Sequence, residues 1–190
     1  MFKIDIDQIS NGGFKMGPVK LNIEKGVFYH LIGKNGSGKS TLLNYIFRYY
    51  RDNVSNSIVY CPDTYIGYTN VTINEIEKIY KLSTEKWDYQ EYKILYESLL
   101  DIKKNKYIST LSTGEKTKLL ICILMAFKPQ FIIFDEALYS LDIDSKEKIL
   151  NYLKLYLEKN NAYFIGVSHD TELNQYSDQI IDIKEVVAHD

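Results

Sequence analysis

Apolar and polar residues alternate from the first positions of the chain, with Phe2, Ile4 and Ile6 separated by Lys3, Asp5 and Asp7. This is the period-two pattern of a strand with one buried face. After turn signals at Asn11-Gly12-Gly13 and Gly17-Pro18, the alternation resumes in Val19-Lys20-Leu21-Asn22-Ile23. Val27 to Ile32 is almost continuously apolar, as a strand covered on both faces would be. It runs into a glycine-rich turn, and Ser40 to Tyr49 follows with helical character. From about Thr72 to Leu100 the period becomes helical, with Ile73, Ile76, Ile79 and Tyr80 on one face and then Tyr92, Leu95, Tyr96 and Leu99. Strand patterns return at Phe131 to Phe134 and Tyr163 to Val167, and Ile180 to Ile183 is a short last one. Between the first two, a helix is expected from about Ser145 to Lys159. Its core face is Ile149, Leu153, Tyr156 and Leu157, and Asp144 with Glu147 is placed as a capping box. The pattern predicts an α/β core carrying a β-rich front and a helical insert.

The length of 190 residues holds one domain rather than two. Hydrophobic residues make up 45%, enough for a folded core, so disorder is excluded as the main state. Lys and Arg total 23 against 25 Asp and Glu, a net charge of −2. That balance lacks the basic footprint of a protein that neutralises a nucleic-acid backbone, and no nucleic-acid partner is expected. Cys61 and Cys122 stand far apart, with neither a CxxC neighbour nor a partnering His, so neither a disulfide framework nor a zinc site is indicated. The longest apolar run, Leu119 to Phe127, is about half of what a membrane span needs. A reducing, cytoplasmic location is the simplest reading.

Gly33-Lys34-Asn35-Gly36-Ser37-Gly38-Lys39-Ser40-Thr41 fits GxxxxGK[ST]. Glycines let such a loop curl until successive N–H groups point inward at phosphates, and the following helix adds its positive end. Lys39 would reach the β and γ phosphates, and Ser40 would offer its hydroxyl to Mg²⁺. Phe131-Ile132-Ile133-Phe134-Asp135-Glu136 is an apolar strand ending in two carboxylates. Beside a phosphate loop, Asp135 would hold Mg²⁺ through water and Glu136 would orient or deprotonate an attacking water. Leu111-Ser112-Thr113-Gly114-Glu115 reads as a capping box ahead of an apolar helix. Ser112 and Gly114 at that helix start would equally make an anion site for a γ-phosphate, and the two readings are compatible.

In this order the motifs resemble those of the ATP-binding subunit of an ATP-binding cassette (ABC) protein, over nearly the whole chain. The phosphate loop is followed by the signature-like Ser112 segment, the Asp135-Glu136 pair, Ser140-Leu141-Asp142 resembling the D-loop, and His169 at the switch histidine. The resemblance implies a P-loop NTPase core with a parallel sheet and an N-terminal antiparallel β subdomain. Residues 1–190 would form one ATP-binding domain, with an α-helical subdomain inserted at about 64–126. It implies ATP and Mg²⁺ as cofactors, Phe14 stacked on adenine, and His169 on the γ-phosphate. A homodimer or heterodimer would enclose ATP between the phosphate loop of one subunit and Ser112 and Gly114 of the other.

Thr113 and Glu115 replace the usual glycine and glutamine of the signature. Asp63, closing Val59-Tyr60-Cys61-Pro62-Asp63, stands where the family's Q-loop glutamine is expected, as a possible Mg²⁺ ligand or as a solvated turn residue after Pro62. The expected role is the ATPase of a transporter whose permease is a separate chain, placing the protein at the cytoplasmic face of the membrane. The short segment after His169 favours export over import. The alternative is a soluble ABC-type ATPase acting in translation or DNA maintenance. A small-molecule kinase would leave the signature, the D-loop and His169 unexplained.

Overall fold

The computed structural model describes residues 1–11, 14–53, 57–168 and 171–186. The front is built from β1 (Phe2–Ile6), β2 (Ile9–Asn11), β3 (Phe14–Met16) and β4 (Val19–Ile23). Strand β1 pairs antiparallel with β4, Ile4 lying opposite Leu21, and β2 pairs antiparallel with β3. The alternation does the sorting: Ile4, Ile6, Val19, Leu21 and Ile23 are buried while Lys3, Asp5, Lys20 and Asn22 face solvent.

The core that follows is β5 (Phe28–Ile32), α1 (Lys39–Asn53), β6 (Ile58–Cys61), α2 (Ile73–Ser83), α3 (Tyr89–Leu99), α4 (Thr113–Met125), β7 (Phe131–Asp135), α5 (Ile143–Asn160), β8 (Tyr163–Val167), β9 (Gln179–Asp182) and the short α6 (Ile183–Val186). Five strands form one parallel sheet in the order β6-β7-β8-β5-β9. Period-two burial divides the interior between its two faces. Ile132, Phe134 and Phe164 pack with α2 to α5, whereas Phe131, Ile133 and Ile165 pack with α1 and the front strands. Because the strands are parallel, the loops after β5, β6, β7 and β8 all leave from the same edge. That edge is where an open α/β sheet binds its ligands.

Three local expectations are corrected. Ile73 and Ile76 are buried, but Ile79 is 40% exposed. At 100° per residue, Ile79 lies well around the helix from the stripe of Ile73, Ile76 and Tyr80. The cap of α5 is Asp142 rather than Asp144: its backbone is extended and its carboxylate accepts from Ser145 N at 2.8 Å. The last strand stops at Asp182, and Ile183 already begins α6. Cys61 and Cys122 are free, wholly buried thiols, and burial pushes both pKa values up. Among the described residues, no helix is long and apolar enough to cross a membrane.

Candidate functional site

Strand β5 delivers the chain into the glycine-rich loop, and α1 begins at Lys39. Gly36 has φ +76° and Gly38 +94°, a backbone region that favours glycine. At Gly33 the constraint is also spatial, since a Cβ would come within 2.6 Å of Ile183 Cγ2 and 2.9 Å of Ser37 Oγ. Lys39 is buried, and its ammonium donates to the carbonyls of Gly33 at 2.8 Å and Lys34 at 3.0 Å. The loop is thus wrapped around its own cation at the N-terminus of a 15-residue helix, an arrangement suited to an anion. An open cleft of about 400 Å³ is lined here by Asn35, Gly36, Gly38, Lys39, Ser40, Thr41 and Glu136.

The loop is joined to the end of β7. Ser40 Oγ donates to Asp135 Oδ1 at 3.0 Å across 95 residues of sequence. Tyr60, on β6, donates to Asp135 Oδ2 at 2.5 Å, and Asn44 Nδ2 donates to the Tyr60 oxygen at 3.2 Å. Burial, and secondarily the Asp135 carboxylate, pushes the Tyr60 phenol well above its ordinary pKa, so it remains a hydrogen-bond donor. Glu136 follows with φ +55°, its N–H donating to Val167 O at 3.0 Å. A non-glycine residue held there stores on the order of 1–3 kcal/mol, a cost typical of functional positions. A second cleft, of about 600 Å³, is walled by residues that include Ser40, Tyr60, Asp63, Asp135 and Glu136. Asp63 therefore shares a cavity with the carboxylates named from the sequence.

Among the described residues, no cluster of three or more His, Cys, Asp or Glu side chains forms a metal cage. One serine hydroxyl and one carboxylate are hard oxygen donors of the kind Mg²⁺ takes when phosphates and waters complete its octahedron, so the donor set fits that ion.

Ser112 and Gly114 line neither cleft. Ser112 caps α4: its Oγ accepts from Glu115 N–H at 3.1 Å, and Glu115 Oε2 accepts from Ser112 N–H at 2.7 Å. Thr113 opens the helix with ordinary helical angles, as a β-branched residue requires. Gly114 sits so close to the Ser140 carbonyl that a Cβ would stand 2.8 Å from it, and Thr117 Oγ1 meets Ser140 Oγ at 3.1 Å. The two segments singled out in the sequence are thus packed together, and neither lines the clefts beside the phosphate loop. The Phe14 backbone lies in β3, but its side chain is outside what the structure describes, and His169 lies outside the described residues. Tyr60 and Asn44 are the functional neighbours that sequence reasoning passed over. Asn44 was within reach of it, four residues after Ser40 on the same helical face.

The family model described as ABC transporter matches residues 16–139. The energy-coupling factor transporter ATP-binding protein EcfA of Pediococcus pentosaceus is 29% identical, over 90% of this chain and 70% of its own length. The zinc import ATP-binding protein ZnuC of Rickettsia bellii is 29% identical, over 86% and 73% respectively. Among solved structures, the ATP-binding subunit of an ABC transporter superposes with a TM-score of 0.82 at 20% identity, over 95% of this chain and 84% of the other. A dimeric ATP-binding cassette in a post-hydrolysis state with ADP and Pi gives 0.76 at 22% identity, over 98% and 96%. These superpositions establish that the fold is shared.

Proposed function

The chain belongs to the ABC transporter family, and from that premise we propose that it binds and hydrolyses ATP to drive transport through a separate membrane permease. The observation that carries this reading is the Ser40–Asp135 hydrogen bond at 3.0 Å, which joins the phosphate loop to the acid at the end of β7. Lys39 would exchange the Gly33 and Lys34 carbonyls for β- and γ-phosphate oxygens, and the N–H groups of Asn35 to Thr41 would take the rest of the triphosphate. Ser40 and Asp135 would hold Mg²⁺, which neutralises phosphate charge when bound. Glu136, on the wall of both clefts, is the base that would take the proton of the attacking water. Phe14 and His169 keep their proposed roles at adenine and the γ-phosphate.

Relatives in this family are named for transport, and a neighbour of the same fold is a dimer. Both support a paired cassette at the cytoplasmic face of a membrane, made of one domain with its helical part between β6 and β7. The export expected from the short C-terminal segment has no support in the relatives' names, since ZnuC is named for zinc import. Uptake is the direction those names favour.

The test is the Lys39→Ala variant. Removing the cation aimed at the phosphates should lower ATP turnover about a hundredfold or more. Turnover near that of the wild type would overturn the site.

A further inference from the structure

The strand that delivers the phosphate loop carries a buried histidine, His30, only 2% exposed. Strand β5 pairs with β8 from Phe28 opposite Phe164 to His30 opposite Gly166, and there the ladder stops, two residues short of Ser168. On its other edge β8 stays paired with β7 as far as Val167, which lies opposite Asp135. The imidazole takes over where the β5 ladder ends. Its Nε2 donates to the Ser168 carbonyl at 3.3 Å, and Asn174 Oδ1 stands 2.8 Å from Nδ1. A carbonyl only accepts, so Nε2 carries a hydrogen, while the Asn174 amide can turn its oxygen or its N–H to Nδ1. Asn174 belongs to the 3₁₀ turn Thr171–Gln175, whose Leu173 is buried in the core. His30 thus ties the chain after β8 to the strand that leads into the phosphate loop.

The residue before Ser168 reaches the site. Val167 O accepts from the N–H of Glu136, at 3.0 Å, where the glutamate backbone has φ +55°. The end of β8 is therefore gripped from both neighbouring strands, by Glu136 on the β7 side and by His30 on the β5 side. Resting on the ATPase reading above, we propose that His30 is a positioning residue for Glu136: it pins Ser168 to β5, which fixes Val167 and, through the Val167 carbonyl, the backbone of the general base. A non-glycine residue in the left-handed region persists only where its surroundings hold it there. Without the imidazole, the peptide that anchors Glu136 is held on one side only, and the glutamate can relax with it. A misplacement of about 1 Å costs on the order of a hundredfold in rate, so a fraction of that displacement is enough to be read in turnover. His30 lines neither cleft, so nucleotide binding does not depend on it.

The test is His30→Phe, which keeps an aromatic ring and removes both nitrogens. ATP turnover should fall about tenfold, while trinitrophenyl-ATP, followed by fluorescence, binds with the dissociation constant of the wild type. The decisive measurement is the same substitution made in Glu136→Gln. With no base left to misplace, residual hydrolysis of radiolabelled ATP should change by less than about twofold, the non-additivity of two residues that act as one unit. A similar loss in both backgrounds overturns the proposal, because His30 would then act through another group. Turnover equal to that of the wild type in the single variant overturns it as well. His30→Gln, whose amide can still donate to the Ser168 carbonyl, should recover most of the lost turnover, and no recovery counts against the hydrogen bond as the cause. If His30→Phe does not fold, Asn174→Ala releases the ring from the 3₁₀ turn. It must then lower turnover by a smaller factor in the wild-type background and leave Glu136→Gln unchanged, and any other pattern overturns the proposal. A wild-type protein that neither binds nor hydrolyses ATP would overturn the ATPase reading itself, and this role with it.

Discussion

A carboxylate beside a triphosphate is repelled unless a cation lies between them, and Asp63 shares a cleft wall with Ser40 and Asp135. A glutamine amide in its place would offer an oxygen without charge, whereas the Asp63 carboxylate would tolerate phosphates there only with a metal between them. Asp63→Asn and Asp63→Ala should both bind nucleotide normally in EDTA yet require several times more Mg²⁺ to reach the same tightening. Unchanged Mg²⁺ curves in both variants would make Asp63 a turn residue after Pro62 and no part of the site. The phosphate loop and the Asp135-Glu136 pair were legible in the sequence because each is a contiguous run whose order carries the chemistry. The hydrogen bond from Tyr60 to Asp135 joins residues 75 positions apart. It depends on the β6–β7 register, which no local pattern in the chain specifies.

Whole elements were legible wherever a long period was written into the chain, as in α3, where Tyr92, Leu95, Tyr96 and Leu99 are all buried as the spacing requires. Caps were legible less evenly. Ser112 and Glu115 satisfy a box that needs only residues three apart, whereas at α5 the acid with a glutamate at that spacing, Asp144, lies inside the helix and the cap is Asp142, whose third residue on is Ser145. The choice falls to the preceding turn, in which Leu141 N–H donates to Leu138 O at 3.2 Å. The box at α4 carries a pH dependence. Glu115 is held below the ordinary carboxylate range, chiefly by the hydrogen bond from the Ser112 backbone N–H. Because the folded value is the lower one, its contribution to stability is complete above the unfolded carboxylate range, near pH 4.3. It is lost as pH falls through the folded value. Glu115→Ala should therefore lower Tm at pH 7 by about 2–4 °C, the size of one lost cap in a chain of this length. The gap to the wild type should close as pH falls below about 4. Thermal melts between pH 3 and 7 decide it, and a gap independent of pH would show that the charge plays no part.

Within one chain the phosphate loop, Asp135 and Glu136 face one pair of clefts, while Ser112 and Gly114 line neither. If both halves act on one nucleotide, the second half must come from another subunit. Closure would depend on ATP, and reopening on its hydrolysis. Glu136→Gln keeps the shape of the side chain and removes its basicity, so hydrolysis should slow by roughly 10²- to 10⁴-fold while ATP still binds. Under ATP and Mg²⁺ the variant should then elute at about twice the monomer mass in size-exclusion chromatography with light scattering, since a two-fold pair of identical chains uses each surface once. Returning it to nucleotide-free buffer should restore the monomer. If it stays monomeric with ATP bound, two copies of this chain do not form the closed state, and the partner supplying the facing signature must be a different cassette. Adding that relative would then produce the dimer, whereas adding more of this chain would not.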